Sequence, residues 1–223
     1  SFPFNVALSS IAHAMIGDYI PFILFVGALF IVAGGIHIQG RFVGTPIVNA
    51  VILVIGALFA NLMGTTGAAM LLIRPLIRAN ANRKYKMHTF IFFIFIVANI
   101  GGCLTPLGDP PLFLGFLRGV DFFWTFTHLL MPLGLTLAIL IGLYLLIDFF
   151  FYRKDVAEGN LANAISTKGR MIEIKGSINF LYLAGIVGAV LMSGIWKSGV
   201  EFSLLSVHLT LQGIVLDCCF IKL

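Results

Sequence analysis

Two stretches decide the fold: Asn61-Leu62-Met63-Gly64-Thr65-Thr66-Gly67-Ala68-Ala69-Met70 and Asn99-Ile100-Gly101-Gly102-Cys103-Leu104-Thr105-Pro106-Leu107-Gly108-Asp109-Pro110-Pro111. Each interrupts an apolar run in which a helix would otherwise continue. Residues 101–111 hold three prolines and three glycines. They cannot stay α-helical, because each proline lacks an N–H and clashes with the preceding turn. After Gly67, only Ala68–Ile77 precede an Arg/Asn-rich loop. As a helix those residues reach about 15 Å, half a membrane, and Arg74-Pro75 disturbs even that. Thr45–Ile77 is therefore expected to enter a membrane, turn at Gly64–Gly67 and leave on the same side.

The composition around these breaks is that of a membrane protein. Of 223 residues, 60% are hydrophobic and 10% charged, with 22 Phe and a mean hydropathy of +1.06. A soluble domain carries about 25% charged residues, so an ordinary globular protein is excluded. Three cysteines (Cys103, Cys218 and Cys219) make no disulfide framework and read as free thiols. The pI of 9.3 does not point to nucleic acid, since the basic residues fall between apolar runs. Tyr19–Ile36, Thr45–Leu62, Phe122–Ile147 and Gly176–Trp196 carry no formal charge. Met87–Gly108 is uncharged too but broken near its end. Residues 151–175 form a polar linker that needs no fold of its own. With Ser at position 1, the chain reads as a piece of a longer one.

Charge sets the expected topology. If residues 87–117 cross once, Arg83, Lys84 and Lys86 share a side with the basic linker; if they turn back, the two groups separate. The positive-inside bias favours one broken crossing. Met87–Ile100 and Leu112–Leu117 together supply a helical length of about 30 Å, which agrees. Arg41, Arg74, Arg78, Arg83, Lys84, Lys86 and the linker's basic residues are then cytoplasmic, and Arg118 and Lys197 lie outside.

Irregular backbone at membrane depth is tolerated only where protein buries it or it lines a cavity. Secondary transporters place their binding sites at such breaks. The strings Gly64–Pro75 and Asn99–Gly115, with the basic loop between them, resemble the ion transporter superfamily, and within it the bacterial sodium:proton antiporters of the citrate transporter family. The resemblance runs through most of residues 1–210; the Gly108-Asp109-Pro110-Pro111 stretch is its specific part, and residues from about Leu216 depart from it. It implies an all-α polytopic membrane protein with an inverted-repeat ion transporter fold. That fold has a re-entrant hairpin (45–77), a discontinuous helix (87–117) and a further span (122–147). On this division 1–152 is the first repeat, 153–175 a cytoplasmic linker and 176–223 the start of the second repeat.

The resemblance also implies a site. The hairpin tip contributes Gly64, Thr65 and Thr66, and the unwound stretch Thr105, Gly108, Asp109 and Pro110. Sodium would be held by Thr65, Thr105 and Asp109, with Asp109 coupling it to protons. The dicarboxylate branch reads Ser-Asn-Thr at the tip, where this chain has Met63-Gly64-Thr65. It reads Gly-Ser-Pro-Pro-Asn at the break, where this chain has Gly108-Asp109-Pro110-Pro111-Leu112. These departures favour a small cation, with sodium:proton antiport ahead of citrate or carboxylate transport. No cofactor is expected beyond the transported sodium and protons. The partners are the lipid bilayer, a small inorganic cation or carboxylate, and no nucleic acid; a homodimer is allowed. The location implied is the bacterial inner membrane.

Each of these residues has a plainer use. Asp109 before two prolines suits a helix cap, although a carboxylate at membrane depth is costly enough to be paired or functional as a rule. Membrane threonines often bond to their own helix. Asn61 and Asn99 are read as supports for freed backbone groups. Arg74 is explained by snorkelling, Asp18 by an interfacial position, and Trp124 and Trp196 by an aromatic belt. The five histidines have no ligand spacing, and no pH sensor is read from them; His88, at the start of the broken helix, comes nearest to one. Leu107-Gly108-Asp109 also resembles part of the intramembrane aspartyl protease motif, but Pro106 stands at its first glycine. The nearest second carboxylate, Asp148, is placed at the far end of its span.

Overall fold

The computed structural model describes residues 4–39, 43–159, 173–195, 201–204 and 207–210. Expectations about Arg41, Trp196, Lys197, Cys218, Cys219 and the middle of the linker lie outside them. The protein is helical, with two short two-stranded ribbons. Helix α1 (Phe4–His13) runs through a π-helical turn (Ala14–Tyr19) into α2 (Ile20–Gly34), and strand β1 (His37–Gln39) follows. Then come α3 (Pro46–Ala79), α4 (Met87–Ile96), a 3₁₀ turn (Ile100–Gly102), α5 (Pro110–Leu117) and α6 (Trp124–Ala157). Strand β2 (Glu173–Lys175), helix α7 (Ile178–Ile195) and strands β3 (Glu201–Leu204) and β4 (Val207–Thr210) complete the order.

Among the described residues, three segments are long and apolar enough to cross a membrane: Ala14–Gly34, Pro46–Ala79 and Trp124–Ala157. The first begins earlier than the uncharged run at Tyr19, so Asp18 falls inside it rather than at its border. Among the described residues, Met87–Gly102 and Ile178–Met192 are shorter apolar helices; the helix from Ile178 runs on to Ile195, and the last residue of the expected span 176–196 lies outside the described residues.

Helix α3 is not straight. Thr45 caps its start, accepting a hydrogen bond from the Val48 N–H at 3.3 Å, and Pro46 occupies the first turn. At Gly64 the backbone leaves the helical region, with φ 77° and ψ 156°. A side chain there would find room, since its nearest neighbour is 3.5 Å away; the positive φ is what asks for glycine. Beyond Gly64 the chain comes back along itself. The amides of Asn49 and Asn80 exchange hydrogen bonds of 2.9 Å in both directions. Gly44 N–H donates to the Ala79 carbonyl at 2.9 Å. Leu72 lies against Gly56, one eight residues after Gly64 and the other eight before it. Such pairing about one residue requires two antiparallel arms, of 18 residues (46–63) and 15 residues (65–79).

The linker expectation needs correction. Residues 151–157 extend α6 as helix, and β2 pairs antiparallel with β1 in the register His37↔Lys175, Ile38↔Ile174 and Gln39↔Glu173. The charged residues of the linker had hidden both features. Strands β3 and β4 form a second antiparallel ribbon beyond α7, unforeseen in an all-α reading. The core lies between α2, α3, α4, α5 and α7, with Tyr144 of α6 at its edge; Phe25 and Phe113 stack there at 4.0 Å. By contrast, α6 presents Met131, Leu135, Leu146 and Phe150 outward, as a lipid-facing helix would.

The fold-back can be tested directly. With Cys103, Cys218 and Cys219 replaced by Ser, Asn49→Cys with Asn80→Cys is expected to form an intramolecular disulfide on mild oxidation. A straight helix would hold those positions about 46 Å apart and give none.

Candidate functional site

The bend at Gly64 and the irregular stretch 97–109 meet. Thr65 N–H donates to the Gly108 carbonyl at 3.2 Å. Asn61, buried one turn before the bend, accepts the Leu104 N–H on its side-chain oxygen at 2.9 Å and the Thr105 hydroxyl on its carbonyl at 2.5 Å. Its amide nitrogen donates to the Ala57 carbonyl at 3.0 Å. Within the stretch Gly102 and Gly108 touch backbone to backbone, and a Cβ on Gly108 would overlap the Gly102 carbonyl. Glycine is required at that crossing by space. From the first turn of α6, Thr125 donates to the Leu104 carbonyl at 2.9 Å. Side chains from α3 and α6 thus satisfy backbone groups that a helix would have satisfied internally.

The residues singled out from sequence fall here unevenly. Gly64, Thr65, Thr105 and Gly108 are joined by the bonds above. Thr66 is exposed beside them. Asp109 begins α5 with extended backbone, and its carbonyl accepts from Leu112 and Phe113 N–H at 3.0 and 3.2 Å. Asp109 stands at the N-cap of α5, and its half-buried carboxylate makes no capping hydrogen bond there. Pro110 and Asn99 are exposed. Asn61 bonds to the Leu104 N–H and the Thr105 hydroxyl of the break. Arg74 is exposed on the second arm, in keeping with snorkelling. Among the described residues no group of three His, Cys, Asp or Glu could hold a metal. The junction instead offers threonine hydroxyls, carbonyls and one carboxylate.

A second polar centre went unread in the sequence. Arg83, fully buried, forks onto Asp148 with bonds of 2.5 and 3.0 Å. It also reaches Asp155 at 3.4 Å, the Gly44 carbonyl at 3.3 Å and Asn80 at 3.4 Å. Asp148 accepts in addition from Tyr144 at 2.8 Å and pairs with His88 at 2.6 Å. Burial works against the Arg83 charge, but its bonds and Coulomb attraction to Asp148 leave the guanidinium pKa above its ordinary value. Outside this centre, Lys84 pairs with Glu158 at 3.1 Å, a bond that raises the lysine pKa.

The network fastens the foot of α3 and the start of α4 to the last turns of α6. Counting Arg83 only as one more positive loop charge concealed it. The available signal was Tyr144, Asp148 and Asp155 on one face of a helix opposite that loop. Asp148 has its oxygens occupied, so it is not free to share a proton with a second aspartate. That removes the protease constellation.

Apolar helices long enough to span, joined by a buried polar junction, define a multi-pass membrane protein. The family model described as "Putative citrate transport" matches residues 1–223, and the chain belongs to that family. The match runs past Leu216, where the resemblance was expected to end. No curated protein and no solved structure matches the chain.

Arg83→Met strands a buried carboxylate, which costs about 3–5 kcal/mol when a buried pair loses one partner. It is expected to lower the thermal unfolding midpoint of the purified protein more than Arg83→Met combined with Asp148→Asn, which removes both charges.

Proposed function

We propose that this chain forms part of a secondary active transporter carrying citrate or a similar small carboxylate across the membrane. The observation that carries the reading is the match to the citrate transport family over the whole chain. It reverses the order expected from the tip and break residues alone, which put sodium:proton antiport first. In this reading 1–152 is one repeat, 153–175 the link and 176–223 the start of the next. The membrane is the bacterial plasma membrane. Helix α3 is a re-entrant hairpin, and α4 and α5 form one interrupted crossing. Support comes from the Asn49–Asn80 pairing at the open end of α3 and from Arg83 and Lys84 lying against Asp155 and Glu158, which sets the loop and the end of α6 on one side.

The substrate site is the junction. The second arm of α3 begins there, and the first N–H groups of a helix lack intrahelical partners. Their positive dipole end suits a carboxylate. Thr66 lies exposed beside them and adds a hydroxyl. At α5, Pro110 and Pro111 remove two such donors, and the oxygens gathered beside that end, carbonyls with Thr65, Thr105 and Asp109, suit a cation. Hard oxygen ligands fit sodium, and a proton competes for the same carboxylate. The substitutions at the tip and break, relative to the dicarboxylate pattern, favour a second reading: sodium:proton exchange without a carboxylate.

One vesicle assay separates the readings. With the full-length protein, an inward sodium or proton gradient is expected to drive accumulation of labelled citrate. Asp109→Asn, which keeps the shape but removes the titratable charge, is expected to lose the gradient dependence while still inserting. Uptake equal to that of empty vesicles under both gradients would contradict the carboxylate reading. Proton movement driven by sodium in the absence of citrate would establish the second.

A further inference from the structure

The threonines of α6 use their hydroxyls differently. Thr127 bonds the Phe123 and Trp124 carbonyls, and Thr136 the Pro132 carbonyl. Those bonds stay within the helix, as threonine hydroxyls in membrane helices commonly do. Thr125 reaches out of its helix, to the Leu104 carbonyl at 2.9 Å. Its direction is set by the entry to α6. There Asp121 accepts the Phe123 N–H on its carboxylate at 2.8 Å and the Trp124 N–H on its carbonyl at 3.1 Å.

Leu104 is held from the opposite direction as well, because its N–H donates to the Asn61 side chain at 2.9 Å. The two successive peptides flanking Leu104 are therefore anchored by two different elements, α3 through Asn61 and α6 through Thr125. Both Leu104 and Thr125 are buried, 7% and 5% exposed, so water is not at hand to replace the bond. The next residue is Thr105, whose hydroxyl already goes to the Asn61 carbonyl. After it comes the turn closed by Gly108 N–H to the Thr105 carbonyl at 3.0 Å, and then Asp109.

We propose that Thr125 is a positioning residue for the junction: by holding the Leu104 carbonyl it fixes the angle at which Thr105 through Asp109 face the α3 tip. The proposal rests on the reading of that junction as the substrate site. Thr125 touches no substrate. Asn61 holds the Leu104 N–H and, through its own carbonyl, the Thr105 hydroxyl, but neither bond takes the Leu104 carbonyl, so alone they leave the tilt of the peptide between Leu104 and Thr105 free. The bond from α6 removes that freedom, and with it a set of orientations in which the site oxygens diverge.

Cys103, half-buried and one residue before the anchored Leu104, reports on the stretch without any substrate. In the full chain carrying Cys218→Ser and Cys219→Ser, the rate of maleimide modification of Cys103 is measured for Thr125, Thr125→Ser and Thr125→Val. Valine keeps the shape and removes the hydroxyl. Losing one buried hydrogen bond is expected to speed modification by about tenfold in Thr125→Val, whereas Thr125→Ser stays near the parent rate. Should Thr125→Val fail to accumulate as folded protein, Thr125→Ala takes its place. In transporting vesicles the hydroxyl-free variant is expected to raise the citrate KM at little change in maximal rate, with rescue by serine. Modification at the parent rate in the hydroxyl-free variant overturns the proposal. If Cys103 responds as expected but the parent protein carries no citrate, the positioning stands and the transport reading falls.

Discussion

A backbone that stops being helical inside a membrane must find partners for its N–H and C=O groups, and that requirement organises this molecule. Each unpaired group would cost several kcal/mol in hydrocarbon. The chain meets the demand by bringing its two irregular places together. Gly64 turns α3 back on itself, and Thr65 then donates to Gly108 across the gap. Asn61 and Thr125 take the groups of Leu104, and the Gly102–Gly108 contact lets the stretch fold tightly enough to be reached. Neither break is satisfied alone.

The opposite end of α3 carries the complementary device. Asn49 and Asn80 close the two arms, and Arg83 ties that closure to Asp148 and Asp155 on α6. A buried ion pair is weak evidence for added stability, because desolvation offsets much of its attraction. Its value here is geometric. A guanidinium with five fixed donors can hold a loop, an arm and a helix in one arrangement, and the junction at the far end of α3 inherits that arrangement.

The apolar runs and the points where helices cannot continue were legible, because proline, glycine and hydropathy act locally. The glycine at the bend, the threonine beside it and the break at 101–111 could be named for the same reason. Less could be read about pairing. Nothing in the spacing of Thr125 distinguishes it from Thr127, since the difference lies in which carbonyl each hydroxyl meets. Arg83 sits among loop charges that look solvated, and only the return of α6 buries it. The linker looked shapeless because strand β2 acquires its partner from residues 37–39, far away in the chain. The order of substrates now proposed could not be read from the tip residues for a related cause. A few tip residues were weighed against a pattern, whereas membership in the citrate transport family rests on all 223 positions.

The central claim, that a carboxylate binds where the α3 tip meets the break, is most directly tested at Thr66, exposed at that tip. In a chain whose native cysteines are serine, the maleimide modification rate of Thr66→Cys is measured with and without citrate in a sodium-containing buffer. The account predicts that citrate slows modification in a saturable manner, while Asn82→Cys in the basic loop is unaffected. A rate at Thr66→Cys unchanged at every citrate concentration, in protein that transports citrate, would contradict it.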